Sequence, residues 1–138
     1  MKVGFTGTQD AITVAQFDLL AALIVEFEEM EEAHHGDCIG ADKVFSELVD
    51  AIKFGVEVHS HPPIKEDKRA FCRADVEYEP KDFIERNHDI VDACDILIAC
   101  PKAEEVLRSG TWATVRYARK CGKPIAILWK DGKYSYEN

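Results

Sequence analysis

Apolar residues in this chain keep switching between two spacings. Short apolar runs alternate with stretches in which apolar residues recur every three or four positions. Lys2-Val-Gly-Phe-Thr6 is expected to form a first strand, ended by Gly7. Thr13 is placed to cap a helix running from Val14 to about Glu32, whose repeat passes through Phe17, Leu20, Leu23, Ile24 and Phe27. Ala33 to Gly36 follows as a second strand. A second helix is expected from Gly40 to Phe54, with Val44, Phe45, Leu48, Val49 and Ile52 inward and Gly55 as its C-cap. Val56-Glu-Val-His59 is a third strand, and Pro80 to Cys94 is a third helix. The run Asp95 to Ala99 hardly alternates, as expected of a strand covered on both faces. A helix over Ser109 to Cys121 and a strand over Pro124 to Trp129 complete the alternation. Tyr134 to Asn138 is either a short edge strand or frayed. Ser60 to Pro80 is the longest irregular stretch, with helix potential around Glu66 to Cys72.

Strands alternating with helices specify an α/β fold: a mostly parallel sheet of about five strands, with helices on both faces and right-handed crossovers. Ligands in such folds bind at the carboxyl ends of the strands, near a switch in strand order. The loops after the first four strands are therefore expected to meet in one crevice.

The length of 138 residues fits one domain, 1–138, with a real core. A formal net charge of -9 disfavours broad DNA binding, because Lys and Arg must neutralise phosphates. Any anionic ligand needs a local positive site. The five cysteines are odd in number and lack CxxC spacing, which fits reduced thiols in a cytoplasmic protein. The sequence shows no signal peptide and no apolar run long enough to span a membrane. The glutamate run at Glu26 to Glu32 reads as a solvated helix face.

The strand-end turns carry the candidate chemistry. Arg108-Ser109-Gly110-Thr111 opens a helix with small residues, so bare amides and the positive end of the helix dipole favour an anion such as phosphate. Lys102 adds charge, and Pro101 begins that loop. Thr6-Gly7-Thr8 offers backbone and hydroxyl donors. Gly36, Asp37, Gly40 and Asp42 follow the second strand; Asp42 is a candidate contact for ribose or base, and Asp37 fits either a ligand contact or a helix cap. His59 and His61 alternate in an extended segment and could face one site or one metal; a ligand contact by His61 is favoured over a metal. No Asp or Glu at a tight ligand spacing supports a metal, so no metal and no cofactor is expected. Arg86 offers a planar fork for phosphate, or a surface ion pair with Glu85 or Asp89; Asn87 can bond base or ribose.

Arg86-Asn87, Ile90-Val91, Asp95 to Ala99, Ser109-Gly110-Thr111, Thr114, Ala118 and Gly122-Lys-Pro-Ile125 resemble the second half of the SLOG superfamily, which groups DNA-processing protein A (Smf) with Lonely Guy and lysine-decarboxylase-like proteins. Phe5-Thr-Gly7 and Gly36-Asp37 with Gly40-Ala41-Asp42 are similar to the first half of the DNA-processing branch. The resemblance covers roughly Val3 to Ile127 and implies a Rossmann-like, three-layer nucleotide-binding domain, as in small stand-alone bacterial and phage members. Some members cleave the N-glycosidic bond of a nucleoside monophosphate; others bind single-stranded DNA or sense ligands. The Lonely Guy motif Pro-Gly-Gly-x-Gly-Thr-x-x-Glu is broken here. Lys102 to Ser109 is inserted, and Thr114 stands where the catalytic glutamate would be.

The leading expectation is thus a binding module for a nucleotide-like small molecule. The second is a nucleoside-monophosphate N-glycosidase using Glu85 or Asp42 as catalytic carboxylate. The third is a single-stranded DNA or protein-interaction module using Lys65, Lys68, Arg69, Phe71 and Arg73. A homo-oligomer is expected, as for small members of the superfamily.

Overall fold

The computed structural model describes residues 1–138. Seven strands form one sheet: β1 (Lys2–Gly7), β2 (Glu32–His35), β3 (Glu57–Ser60), β4 (Val76–Glu77), β5 (Ile96–Cys100), β6 (Ile125–Leu128) and β7 (Tyr134–Glu137). Their spatial order is β4-β3-β2-β1-β5-β6-β7. All pairings are parallel except β6 with β7. Four helices connect them: α1 (Val14–Glu26), α2 (Ala41–Ile52), α3 (Phe83–Ala93) and α4 (Gly110–Lys120). The fold is the expected α/β three-layer type with two more strands than the sequence suggested. One is β7, the edge strand left open between order and fraying. The other is β4, two residues long inside the irregular stretch and too short to leave a periodic signal.

Strand β5 shows why the sheet is covered twice. Ile96, Ile98 and Cys100 point into one apolar cluster with Val3, Phe5, Leu20, Ile24, Phe45 and Val49. Leu97 and Ala99 point into the other, with Val91, Trp112, Val115 and Ala118. Helices α1 and α2 therefore cover one face, and α3 and α4 the other. All five β5 residues are buried, which is the origin of its unbroken apolar run. Phe5 and Phe45 stack at 4.5 Å between ring centroids, locking α2 onto β1.

Helix α1 stops at Glu26, short of the expected Glu32, because residue 32 is needed in the β-ladder opposite Lys2. Phe17 is exposed rather than inward. The buried position beside it is Gln16, which closes a capping box with Thr13 and donates from Nε2 to the carbonyls of Pro101 and Leu128, 2.9 Å each. The charge run at 26–32 is thus mostly turn rather than helix. No helix is long and apolar enough to cross a membrane. All five cysteines are free.

Phe45→Ala removes the ring that joins α2 to β1 in a fully buried site. It is expected to cost about 3–5 kcal/mol of unfolding free energy, read from the shift of the urea midpoint at constant m.

Candidate functional site

The chain passes from β1 out through β2, β3 and β4, then returns to the other side of β1 at β5. This reversal is a topological switch point, and the crevice lies beyond the carboxyl ends of β1 and β5. It is a cavity of about 510 Å³, in the range of small-molecule sites. Three hydrogen-bonded seams hold its walls. The Thr8 amide donates to the Cys100 carbonyl (3.0 Å), and the Ala41 amide to the Thr8 carbonyl (2.9 Å). Arg86 Nη1 donates to the carbonyls of Gly36 and, at 3.3 Å, His61. Loops after β1, β2, β3 and β5 are thereby linked.

Twelve of the sequence-selected residues line this cavity, Lys102 and Arg108 of the loop after β5 among them. Thr6, Gly7 and Thr8 come from the β1 turn, Gly36 and Asp42 from the β2 loop and the start of α2, Arg86 and Asn87 from α3, and Ser109, Gly110 and Thr111 from the start of α4. Ser109 caps α4, its Oγ accepting from the Trp112 amide at 3.2 Å. The Gly110 and Thr111 amides precede the first intrahelical bond and are the donors that a helix start leaves over. Gly36 admits Arg86, because a Cβ there would run into the guanidinium. Gly40 sits at φ 92°, where a Cβ would also meet the Gln9 carbonyl.

Other selected residues fall elsewhere. Glu85 is exposed and outside the cavity, so it is not placed for catalysis there. The reason is helical phase: Phe83, Arg86, Asn87 and Ile90 line the crevice at i, i+3, i+4 and i+7, and Glu85 points off that stripe. Asp37 is fully buried away from the cavity. Its carboxylate accepts from Arg69 Nε (2.7 Å) and from the Cys72 amide (2.8 Å), pinning the long 60–80 segment. It is not the helix cap either, since the residue at that position of α2 is Gly40. Gly40 shapes the loop without lining the cavity. Pro101 is buried beneath the crevice, its carbonyl taken by Gln16. His61 contributes only its carbonyl. Its ring stacks on Tyr78 at 4.3 Å, and its Nε2 lies 2.9 Å from His34 Nδ1. Burial and the neighbouring His34 hold it neutral, its pKa pushed down to about 3.

Arg86 differs from the exposed phosphate fork that the sequence suggests. It is buried, and beyond the two carbonyls its Nη2 reaches Cys38 Sγ at 3.3 Å. Its Nε has no partner. Asp42 is the buried carboxylate of the cavity wall. One oxygen accepts from the Cys38 amide at 3.1 Å; the other, Oδ1, has none. Burial pushes its carboxyl up to about 6, against the opposing pull of Arg86. Burial and the Asp42 charge raise the Cys38 thiol, and burial pushes Cys100 up to about 12, so neither is an activated nucleophile. Thr114 spends its hydroxyl on the Gly110 carbonyl at 2.8 Å. Trp112, Cys38, Phe83 and Ile90 also line the cavity. The α3 stripe was the available signal for the last two.

Solved structures share this architecture. The molybdenum cofactor binding protein from the phototrophic bacterium Rippkaea orientalis superposes with a TM-score of 0.72 at 20% identity, over 93% of this chain and 76% of that one. The Moco carrier protein from Chlamydomonas reinhardtii gives 0.68 at 17%, over 92% and 75%. DNA processing protein A from Streptococcus pneumoniae gives 0.66 at 17%, over 91% of this chain and 49% of that one. The chain shares the fold of these proteins, DNA processing protein A among them, as the resemblance in the sequence implies. No family model and no curated protein matches the sequence itself.

Because the folded-state pKa of Asp42 lies above its ordinary value near 3.8, its ionisation penalises the folded state. The penalty is absent below about pH 4 and complete above about pH 6. Asp42→Asn keeps a carbonyl for the Cys38 amide and removes the charge. Its stability relative to wild type is expected to rise across pH 4–6 by on the order of 2–3 kcal/mol, then level off, in urea unfolding at fixed pH values.

Proposed function

We propose that residues 1–138 act as one binding unit for a nucleotide or nucleotide-derived ligand, seated in the crevice at the β1–β5 switch. The observation that carries this reading is a pairing of opposite preferences across one cavity. The start of α4 presents amides, Thr111 and the Arg108 guanidinium, which favour phosphate. The start of α2 presents the unpartnered Oδ1 of Asp42, which favours a hydroxyl or amine donor. A phosphorylated nucleoside carries both groups on one molecule. Lys102 is held by Asp10 at 2.8 Å, whereas Arg108 is exposed and paired with no carboxylate, leaving it for the ligand. Arg86 serves in this reading as a brace whose charge faces the ligand, and Thr6, Thr8 and Asn87 as polar wall. Proteins of similar fold include a molybdenum cofactor binding protein and a DNA processing protein.

A second reading, N-glycosidase action on a nucleoside monophosphate, is favoured by one feature: the Asp42 carboxyl pushed up to about 6, suited to general acid–base work near neutral pH. It would rest on Asp42 alone among the two carboxylates first considered. The single-stranded DNA reading keeps only part of its basic cluster, Lys65, Lys68 and the exposed Phe71. Arg69 is spent on Asp37 and Glu77, and Arg73 on Asp50 and Asp75.

Titration calorimetry with nucleoside mono- and diphosphates and ADP-ribose is expected to give saturable one-site binding, weakened about tenfold by Arg108→Ala, a loss of ~1.4 kcal/mol. Absence of heat and of any rise in Tm with every compound would refute the binding reading. For the second reading, free base is expected to accumulate with wild type and to vanish with Asp42→Asn, measured by chromatography.

A further inference from the structure

A second polar cluster lies apart from the crevice, on the sheet itself. Strands β2 and β3 pair in register so that Glu32 faces Glu57 and His34 faces His59. Each strand thus supplies a Glu-x-His pair, and alternate residues share one side of the sheet. It is the side that α3 and α4 cover over β1, β5 and β6. The apolar cluster there contains nothing from β2 or β3, so this end of the face is filled by imidazoles and carboxylates. None of the four residues lines the crevice.

We propose that Glu32, His34, Glu57 and His59 form a site for one divalent transition-metal ion of the zinc type. Three of the four donors, on Glu32, His34 and His59, already converge, and Glu57 joins them beside His59. His34 Nε2 lies 2.9 Å from Glu32 Oε1, and His59 Nε2 lies 3.5 Å from the same oxygen and 2.6 Å from Glu57 Oε1. The ligand atoms of Glu32, His34 and His59 all lie within 4.8 Å of one another. Tetrahedral zinc, with bonds of about 2.0–2.1 Å, needs ligand atoms roughly 3.3 Å apart, so small side-chain shifts suffice for those three, and the exposed Glu57 carboxylate must swing in from beside His59.

The far side of each ring is also prepared. His34 Nδ1 lies 2.9 Å from His61 Nε2, and His59 Nδ1 lies 2.9 Å from the Tyr78 hydroxyl. A ligating imidazole needs such a partner to fix its tautomer and plane. When the ion binds at Nε2, the proton each ring carries there is transferred to Nδ1 and donated to His61 or Tyr78. His61 can accept, because its other nitrogen takes the remaining proton. The rings are stacked at 4.3 Å and nearly buried, while the two carboxylates reach solvent and give the ion a way in. Two carboxylates and two neutral imidazoles carry the charge to match a dication. The Lys2 ammonium, 4.0 Å from the other Glu32 oxygen, is the nearby cation that the site must tolerate. Four protein ligands leave no position for water, so the ion clips β2 to β3 rather than performing chemistry.

The test uses the full chain stripped with chelator. Titration with Co²⁺ is expected to give one equivalent bound, with visible bands of tetrahedral intensity and no thiolate charge-transfer band. Zn²⁺ is expected to displace it and to raise Tm. Glu57→Gln, at an exposed position, should weaken binding at least about tenfold, and Tyr78→Phe about 10–100-fold, with far-UV circular dichroism unchanged. Cys121→Ser should bind as wild type does. Failure to take up one equivalent would overturn the proposal. So would a thiolate band, or undiminished binding in both Glu32→Gln and Glu57→Gln.

Discussion

A single buried guanidinium holds the functional end of this molecule together. Arg86 reaches from α3 across the sheet edge to the Gly36 and His61 carbonyls and the Cys38 sulfur. No apolar contact could do this, because the loops it joins present backbone carbonyls that demand donors. The charge is tolerable because those carbonyls and the Asp42 carboxylate surround it. The arrangement fixes three further features. Position 36 must lack a Cβ, Asp42 must stay near enough to balance the charge, and α3 must present its stripe of Phe83, Arg86, Asn87 and Ile90 inward.

The two ends of the cavity differ in how they are built. The α4 side is made of local geometry: a serine cap, a glycine and a helix start. The Asp42 side is made of burial, which raises the carboxyl and leaves one oxygen without a partner. Donors at one end of the cavity thus face an unpartnered acceptor at the other.

Much of the fold was legible because periodicity reports burial directly. The unbroken run in β5 and the apolar repeat of α2 each have one structural meaning, and both are found. The β4 strand was not legible, since two residues carry no period. The end of α1 was misjudged because glutamates suit a helix locally, whereas the ladder with β1 decides the matter from a distance. At the site, glycine and hydroxyl turns were readable as strand-end chemistry. Whether Asp37, Glu85 and His61 turned toward the cavity was not. Asp37 answers to Arg69 and Cys72, which are far along the chain, and Glu85 to the rotation of α3. The pairing of Glu32-x-His34 with Glu57-x-His59 was hidden for the same reason: each strand shows half of it, and only the register joins the halves.

Strand β5 sends alternate side chains into both helical layers. The two layers consequently share one strand, so a substitution that shifts its backbone disturbs the packing of both, and the floor of the crevice rests on that common element. The rim is built differently: the exposed 102–108 segment is held by polar ties to α4, from Trp112 to the Ala103 carbonyl and from Arg116 to the Val106 and Leu107 carbonyls.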